Sequence, residues 1–327
     1  MLPTVDDLLA TARVVSLPLT SRFRGVDLRE AVLIEGPNGW TEFSPFTEYL
    51  DEEAAHWLAA AIDFGWGPEH PLLRESVRVN ATLPAVELGD VPGVLARFPG
   101  CRTVKVKVAD PGQRLGDDVE RIAAVRAILG PEGRIRIDAN GAWTVDEAER
   151  AIHALAEYDL EYVEQPCASV PELAELRERV HYMGVPIAAD ESVRKAEDPL
   201  AVARAGAADI LVIKAQPLGG ITAALRIVGD AGLPVVVSSA LDTSVGISMG
   251  LHLAAAIPQL DYDCGLATAS LLAVDVTDEP LIPFDGAIEV RRVTPTEHLL
   301  EAHAATADRT RWWLARLERC FAVLEAE

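Results

Sequence analysis

The chain has 327 residues, half of them hydrophobic, with 51 acidic against 29 basic side chains and a formal net charge of −22. That length suits one large α/β barrel with an appendage, or two ordinary domains. The acidic balance leaves no basic stripe to neutralise phosphates, so neither nucleic acid nor an anionic membrane is expected as a partner. Cys101, Cys167, Cys264 and Cys320 lie far apart without a C-x-x-C pair, which argues against a zinc knuckle or a disulfide framework and for plain buried thiols. The opening stretch MLPTVDDLLATARVV is acidic early, and no run nears the roughly 18 apolar residues of a membrane span. A cytoplasmic location is expected.

Residues 1–75 read as a capping unit of mixed α+β type. The segments ARVVSLPL, REAVLIEG and GWTEFSP form an antiparallel meander, with Pro37, Asn38 and Gly39 as a turn, and DEEAAHWLAAAIDF has a helical period. From residue 76 the pattern becomes strand, turn, helix, repeated. The strands are VRVNATL, TVKVKVA, RIRIDA, EYVEQ, PIAADE, DILVIKA, PVVVSSA and DYDCGLA, with helical stretches such as VDEAERAIHALAEY and VPELAELRERVHYM between them. Eight such units predict a (β/α)8 TIM-type barrel over residues 76–285. The tail, 286–327, holds a strand-like AIEVRRV and a helix ending WWLARLERCFAVLEAE, which we expect to return to the cap. No low-complexity linker separates cap from barrel, so a substrate is expected between the cap loops and the carboxyl ends of the strands.

Three acids end three successive apolar runs: Asp138 in RIRIDAN, Glu164 in EYVEQP and Asp190 in PIAADES, each 26 residues from the next. One strand plus one crossover helix has about that length, so each acid holds the equivalent place in its unit. A single acid at a strand end is more often a helix cap. Three at matched positions converge on one cation, and three carboxylates with open positions suit Mg²⁺, with Mn²⁺ as a substitute. Asn140 can hold a ligand through a hydrogen bond or be a plain turn residue before Gly141.

Lysines complete the constellation. In TVKVKV, Lys105 and Lys107 alternate with valines, so both ammonium groups share one face of the strand. With acids on the neighbouring strands that face is the barrel interior, whereas an isolated K-x-K is more often a solvated edge. Lys214, 24 residues after Asp190, ends DILVIKA and approaches from another wall. A lysine crowded by cations gives up its proton more readily, so Lys107 is positioned to act as a base next to a metal-bound carboxylate. Asp242 is a partner for Lys214 or a cap, and Gly219 with Gly220 reads as a turn.

The K-x-K, D-x-N, E-Q-P, D-E-S and I-K series resembles the enolase superfamily, over nearly the whole chain, in the branch with lysines on the second and sixth strands. No histidine lies at a predicted strand end, which disfavours the branch with a seventh-strand histidine, and His252 reads as a packing residue inside a helix. Within the lysine branch, S-R-F-R-G (Ser21–Gly25), G-W-T-E-F-S-P (Gly39–Pro45) and S-S-A-L-D-T-S-V-G (Ser238–Gly246) are similar to the o-succinylbenzoate synthase family of menaquinone biosynthesis. The resemblance implies a dehydratase acting on a small carboxylate, 2-succinyl-6-hydroxy-2,4-cyclohexadiene-1-carboxylate. It implies Lys107 and Lys214 as catalytic groups, Lys105, Arg24, Ser239, Gly265 and Leu266 as substrate contacts, and Asp138, Glu164 and Asp190 as metal ligands. N-succinylamino acid racemases share this fold, acids and lysines and are the alternative, with dipeptide epimerases and muconate cycloisomerases more distant. A silent barrel kept for scaffolding is disfavoured by the full set of acids and lysines.

Overall fold

The structure is a computed structural model that describes residues 2–23, 25–193 and 198–326. The cap begins with α1 (Val5–Thr11), closed by a reciprocal Thr4 and Asp7 capping box, and continues through β1 (Arg13–Phe23), β2 (Val26–Gly36), β3 (Gly39–Phe43) and α2 (Asp51–Trp66). The three strands form an antiparallel meander with the turn at residues 37–38. The β1/β2 hairpin is longer than the sequence pattern indicates and carries Phe23 towards the barrel. Buried Val32, Ile34, Phe43, Trp57 and Leu58 form the inner layer of the cap.

The barrel follows as β4 (Ser76–Arg78), β5 (Ala81–Leu83), α3 (Val91–Leu95), β6 (Thr103–Lys107), α4 (Leu115–Leu129), β7 (Arg134–Asp138), α5 (Val145–Leu155), β8 (Leu160–Glu164) and α6 (Val170–Val180). It continues with β9 (Ile187–Ala189), α7 (Asp198–Arg204), β10 (Ile210–Ile213), α8 (Ile221–Ala231), β11 (Val235–Val237) and α9 (Ser244–Ala256). Strands β5 to β11 pair in chain order as one parallel sheet. Capping boxes from Thr144 to Glu147 and from Ser169 to Glu172 start α5 and α6, satisfying amide groups that a helix end leaves open.

Closure differs from eight equal strands. The eighth segment is reduced to two residues: Cys264 bridges Val79 and Gly265 bridges Ser238, both in parallel, with Gly265 N donating to Val237 O at 2.8 Å. A short 3₁₀ turn (Thr268–Leu271), not a helix, follows it. The VRVNATL run is also divided. Its first half, β4, pairs antiparallel with β12 (Ala287–Glu289), and its second half, β5, pairs with β6. The tail therefore first crosses the amino-terminal end of the barrel before α10 (Glu297–Ala302) and α11 (Ala307–Ala326) reach the cap.

Alternation decides what lines the barrel. Val104, Val106, Ile135, Ile137 and Val163 pack outward in the main core, while the intervening positions point inward. Lys105, Arg136 and Tyr162 are paired across neighbouring strands and form one inner level, with the Arg136 guanidinium 4.7 Å from the centre of the Tyr162 ring. Lys107, Asp138 and Glu164 form the level above, at the carboxyl end.

Helix α11 ties the tail to the cap through Trp313. Its ring is fully buried, packs edge-on against Phe43 at 6.0 Å between centroids, and donates from Nε1 to Glu30 at 3.0 Å. Arg316 donates to the Phe46 and Tyr49 carbonyls and Arg319 pairs with Asp51. Truncating Trp313 to alanine would lose ring burial and leave Glu30 with one donor fewer, so W313A is expected to cost about 3–5 kcal/mol. Urea unfolding of the two proteins checks it, and a loss below about 1 kcal/mol would mean that α11 contributes little to the cap.

Candidate active site

Asp138 and Glu164 are the last residues of β7 and β8, and Asp190 directly follows β9. Adjacent parallel strands place equivalent ends side by side, and each acid offers an oxygen within 4.8 Å of the other two. All three side chains are buried. Three carboxylates in so small a dry volume repel one another, and the cost is met by cations.

The lysines supply them. Lys105 Nζ donates to Glu164 Oε1 at 2.7 Å and lies 3.4 Å from Asp138 Oδ2, and Lys107 donates to Asp138 and, at 2.8 Å, to Asn140 Oδ1. Lys214 donates to both Asp190 oxygens, at 2.5 and 2.6 Å. Strands β6 and β10 stand four places apart around the barrel, so Lys107 and Lys214 face each other across the acids.

The electrostatics follow from this packing. Burial disfavours the Asp138 carboxylate, but the Lys107 and Lys105 charges outweigh it and hold the group well below the usual carboxylate range. Glu164 goes the other way, with burial first and the Asp138 charge second pushing it up to about 8. Burial alone would loosen the Lys105 proton; Glu164 and Asp138 reverse that and hold it more firmly than in a free lysine.

The donor set suits a divalent metal. Among the described residues Glu164 Oε2 is buried without a hydrogen-bond partner, the ligands are all oxygen, and neither a histidine nor a cysteine joins the cluster. Asn140 has a left-handed backbone at φ 48°, which lets its amide donate to Asp138 Oδ1 at 3.0 Å while its side chain accepts from Lys107 and donates to Glu191.

Ser239 and Gly265 line the same small pocket as Lys105, Lys107, Asp138, Asp190 and Lys214. Ser239 Oγ is 2.6 Å from the Gly265 carbonyl oxygen and 2.7 Å from Thr268 Oγ1. Leu266 is not in that lining: its side chain is fully buried and packs at Gly250 of α9. Arg24 lies outside the described residues. Lys214 pairs with Asp190, while Asp242 accepts from its own loop at Ala240 N. His252, in α9, is a packing residue edge-on to Phe64.

Several residues of the site were not singled out from the sequence. Gln165, with φ 37°, accepts from the Asp190 and Ser192 amides and donates to Cys167 O and Ser192 Oγ, which fixes the backbone under Asp190. The E-Q-P run was its signal. Phe23 lies 5.5 Å from Lys107 Nζ, and beyond it a cleft of about 710 Å³ opens between Arg22, Phe23, Glu48, Lys107, Asp110 and Asn140. That volume is ordinary for a small-molecule site.

The barrel and its two-part cap define the class. The Enolase N-terminal domain-like family matches residues 14–65 and the Enolase C-terminal domain-like family residues 94–296, and the chain belongs to the enolase superfamily. Among solved structures, the muconate lactonizing enzyme from Pseudomonas fluorescens shares the fold with a TM-score of 0.77 at 21% identity, covering 90% of this chain and 98% of its own. The L-Ala-D/L-Glu epimerase from Bacillus subtilis has a TM-score of 0.74 at 22% identity, covering 87% and 96%. Within the superfamily the chain belongs to the o-succinylbenzoate synthase family. It is 55% identical to the o-succinylbenzoate synthase of Mycobacterium ulcerans over 98% of this chain and 96% of the relative. It is 54% identical to that of Mycobacterium tuberculosis over 99% and 98%.

If the acids hold the metal together, removing one charge should weaken it sharply. E164Q is expected to lower Mn²⁺ affinity by at least about 100-fold in calorimetric titration, with a circular dichroism spectrum like that of the parent. Unchanged affinity would remove Glu164 from the ligand set.

Proposed function

We propose that the chain is a dehydratase that converts 2-succinyl-6-hydroxy-2,4-cyclohexadiene-1-carboxylate to 2-succinylbenzoate and water. The observation that carries this reading is the pair Lys107 and Lys214 facing one another across three buried acids, in a chain 55% identical to a synthase of that name. Asp138, Glu164 and Asp190 would hold Mg²⁺. When bound, the ion would supply positive charge to the substrate carboxylate as the adjacent carbon loses its proton.

The chain's own groups do the remaining work. Lys107, as the neutral amine, takes the proton from the carbon next to the ring carboxylate, and the electron pair of that bond moves onto the carboxylate. Lys214 stays charged and stabilises the enediolate from the opposite wall. As the pair returns, the carbon–oxygen bond at the ring hydroxyl breaks, and Lys107 gives its proton to the departing oxygen, so that water leaves and the ring becomes aromatic. One lysine can serve both steps only if proton and hydroxyl leave from the same face. Lys105 sits one level down, bonded to Glu164 and close to Asp138, and sets the depth to which a carboxylate can enter. The succinyl arm extends towards Ser239 and Gly265, with Leu266 limited to its backbone and Arg24 an additional contact.

A racemase of N-succinyl amino acids would use the same two lysines, one per face. The test follows both reactions with Mg²⁺: loss of cyclohexadiene absorbance, and deuterium incorporation with racemisation in D₂O. Dehydration with little racemisation is expected, and racemisation alone would replace the dehydratase reading. K107M should lower kcat by at least about 10²- to 10⁴-fold. Metal affinity should be retained or improved, since an ammonium group is removed from Asp138. Substantial turnover by K107M would remove Lys107 as the base.

A further inference from the structure

Two motifs, G-W-T-E-F-S-P in the cap and S-S-A-L-D-T-S-V-G after β11, contribute only Ser239 to the function above, yet they meet. Glu42 of β3 is fully buried and its Oε2 accepts from Thr243 Oγ1 at 2.6 Å, Gly246 N at 3.0 Å and Thr243 N at 3.2 Å. Its Oε1 accepts from Ser44 Oγ at 2.6 Å. The open amino end of α9 is thus satisfied by a carboxylate from the cap, about 200 residues away in the chain. Arg29 of β2 adds a second tie, donating from Nε to Leu241 O at 3.0 Å and from Nη2 to Ser44. Leu241 has a left-handed backbone at φ 65°, a conformation that a branched side chain keeps only where its surroundings impose it.

The loop so held carries a wall of the active site. Ser239 and Ala240 line the metal pocket, and Ala240 N donates to Asp242 Oδ2 at 3.3 Å. Asp242 is itself buried beside Glu42: a methyl group placed on Gly246 would lie 2.7 Å from the Asp242 Cβ and 2.9 Å from the Glu42 carboxyl carbon.

We propose that Glu42 is a positioning residue for the active site, which with Asp242 forms a one-proton carboxyl pair that clamps the β11–α9 loop to the cap. The inference rests on the proposed dehydration for its kinetic readout. The groups that face the pair are Arg29 from β2 and, acting on Asp242, Lys214 from the end of β10. Asp275 is at the same helix end, where it accepts from Ser244 N and Oγ. Two adjacent buried carboxylates do not both ionise readily, because burial and their mutual repulsion oppose the second charge and the facing cations offset only part of that. Burial first, and the Asp242 charge second, push Glu42 up from its ordinary value of 4.5 to about 7, and burial also raises Asp242. The sign is that of a raised acid. The pair's contribution to stability is full below about 4.5, falls as pH rises towards 7, and is spent above it, where two repelling charges strain the clamp.

Amide hydrogen exchange of the full chain, followed by mass spectrometry, reads the clamp without turnover, and steady-state dehydration reads its effect. In E42A, amides of residues 240–246 should exchange at least about tenfold faster with α5 and α6 unchanged, and KM should rise about fivefold or more with kcat within about threefold. E42Q keeps an acceptor for the helix end but not the charge. It should match the wild type at pH 6 and lack the extra loosening of 240–246 that the wild type shows, beyond intrinsic exchange, between pH 6 and 8.5. Unchanged exchange of that segment in E42A, or an E42Q pH course identical to the wild type, overturns the proposal. If E42A does not fold, the E42Q comparison decides alone. A wild-type protein without dehydratase activity counts against the proposed function and leaves the exchange readout standing.

Discussion

Three carboxylates confined within 4.8 Å of one another, in a volume from which water is largely excluded, are the constraint around which this molecule is organised. Left alone they would repel strongly, because the low dielectric that makes each interaction matter leaves nothing to screen it. The barrel resolves this by bringing ammonium groups to the acids from two further strands: Lys107 and Lys105 to Asp138, Lys105 to Glu164, and Lys214 to Asp190. The pairings leave Glu164 with one buried oxygen that has no partner among the described residues. The groups that neutralise the acids are also those the proposed chemistry uses, so under that reading stability and reactivity draw on the same contacts.

Below this level the barrel is held by a different device. Arg136 is fully buried, pairs with Glu161, donates to Asn80 and to the Asp263 carbonyl, and lies over Tyr162. It joins the first, third, fourth and eighth strand positions at one inner layer. With the floor fixed by a cation in this way, the acidic level above can be polar without opening the barrel. The cap closes the other side, where Phe23 from the hairpin approaches Lys107 and the β11–α9 loop is tied back by Arg29 and Glu42.

How much of this was legible beforehand depended on the range of the interactions. The acids could be found because the barrel is a repeat: positions 138, 164 and 190 recur at one interval, and strand ends are set by local alternation. Lys105 and Lys107 were placed inward by the same alternation with valine. The eighth strand was overestimated, since DYDCGLA contains apolar residues but pairs only at Cys264 and Gly265. VRVNATL looked continuous because its hydrophobicity is; the change of partner at Val79 and Asn80 is imposed by β12 and Cys264, which lie nearly 200 residues further on. Leu266, grouped with its neighbour Gly265 as a contact, turns its side chain to α9 because successive residues of an extended segment face opposite ways.

By itself the sequence determined the alternation of strand and helix, the inward face of each strand and the equivalent placing of three acids and two lysine walls. All of these follow from periods of two and of about 26 residues that local geometry enforces. Only the tertiary structure decided which acid each lysine serves, that Gln165 supports the backbone of Asp190, and that Glu42 completes a helix end in the other half of the molecule. Those are contacts between residues 24 to about 200 positions apart. A carboxylate or an amide in a sequence carries no mark of its partner until folding removes the water that would otherwise serve it.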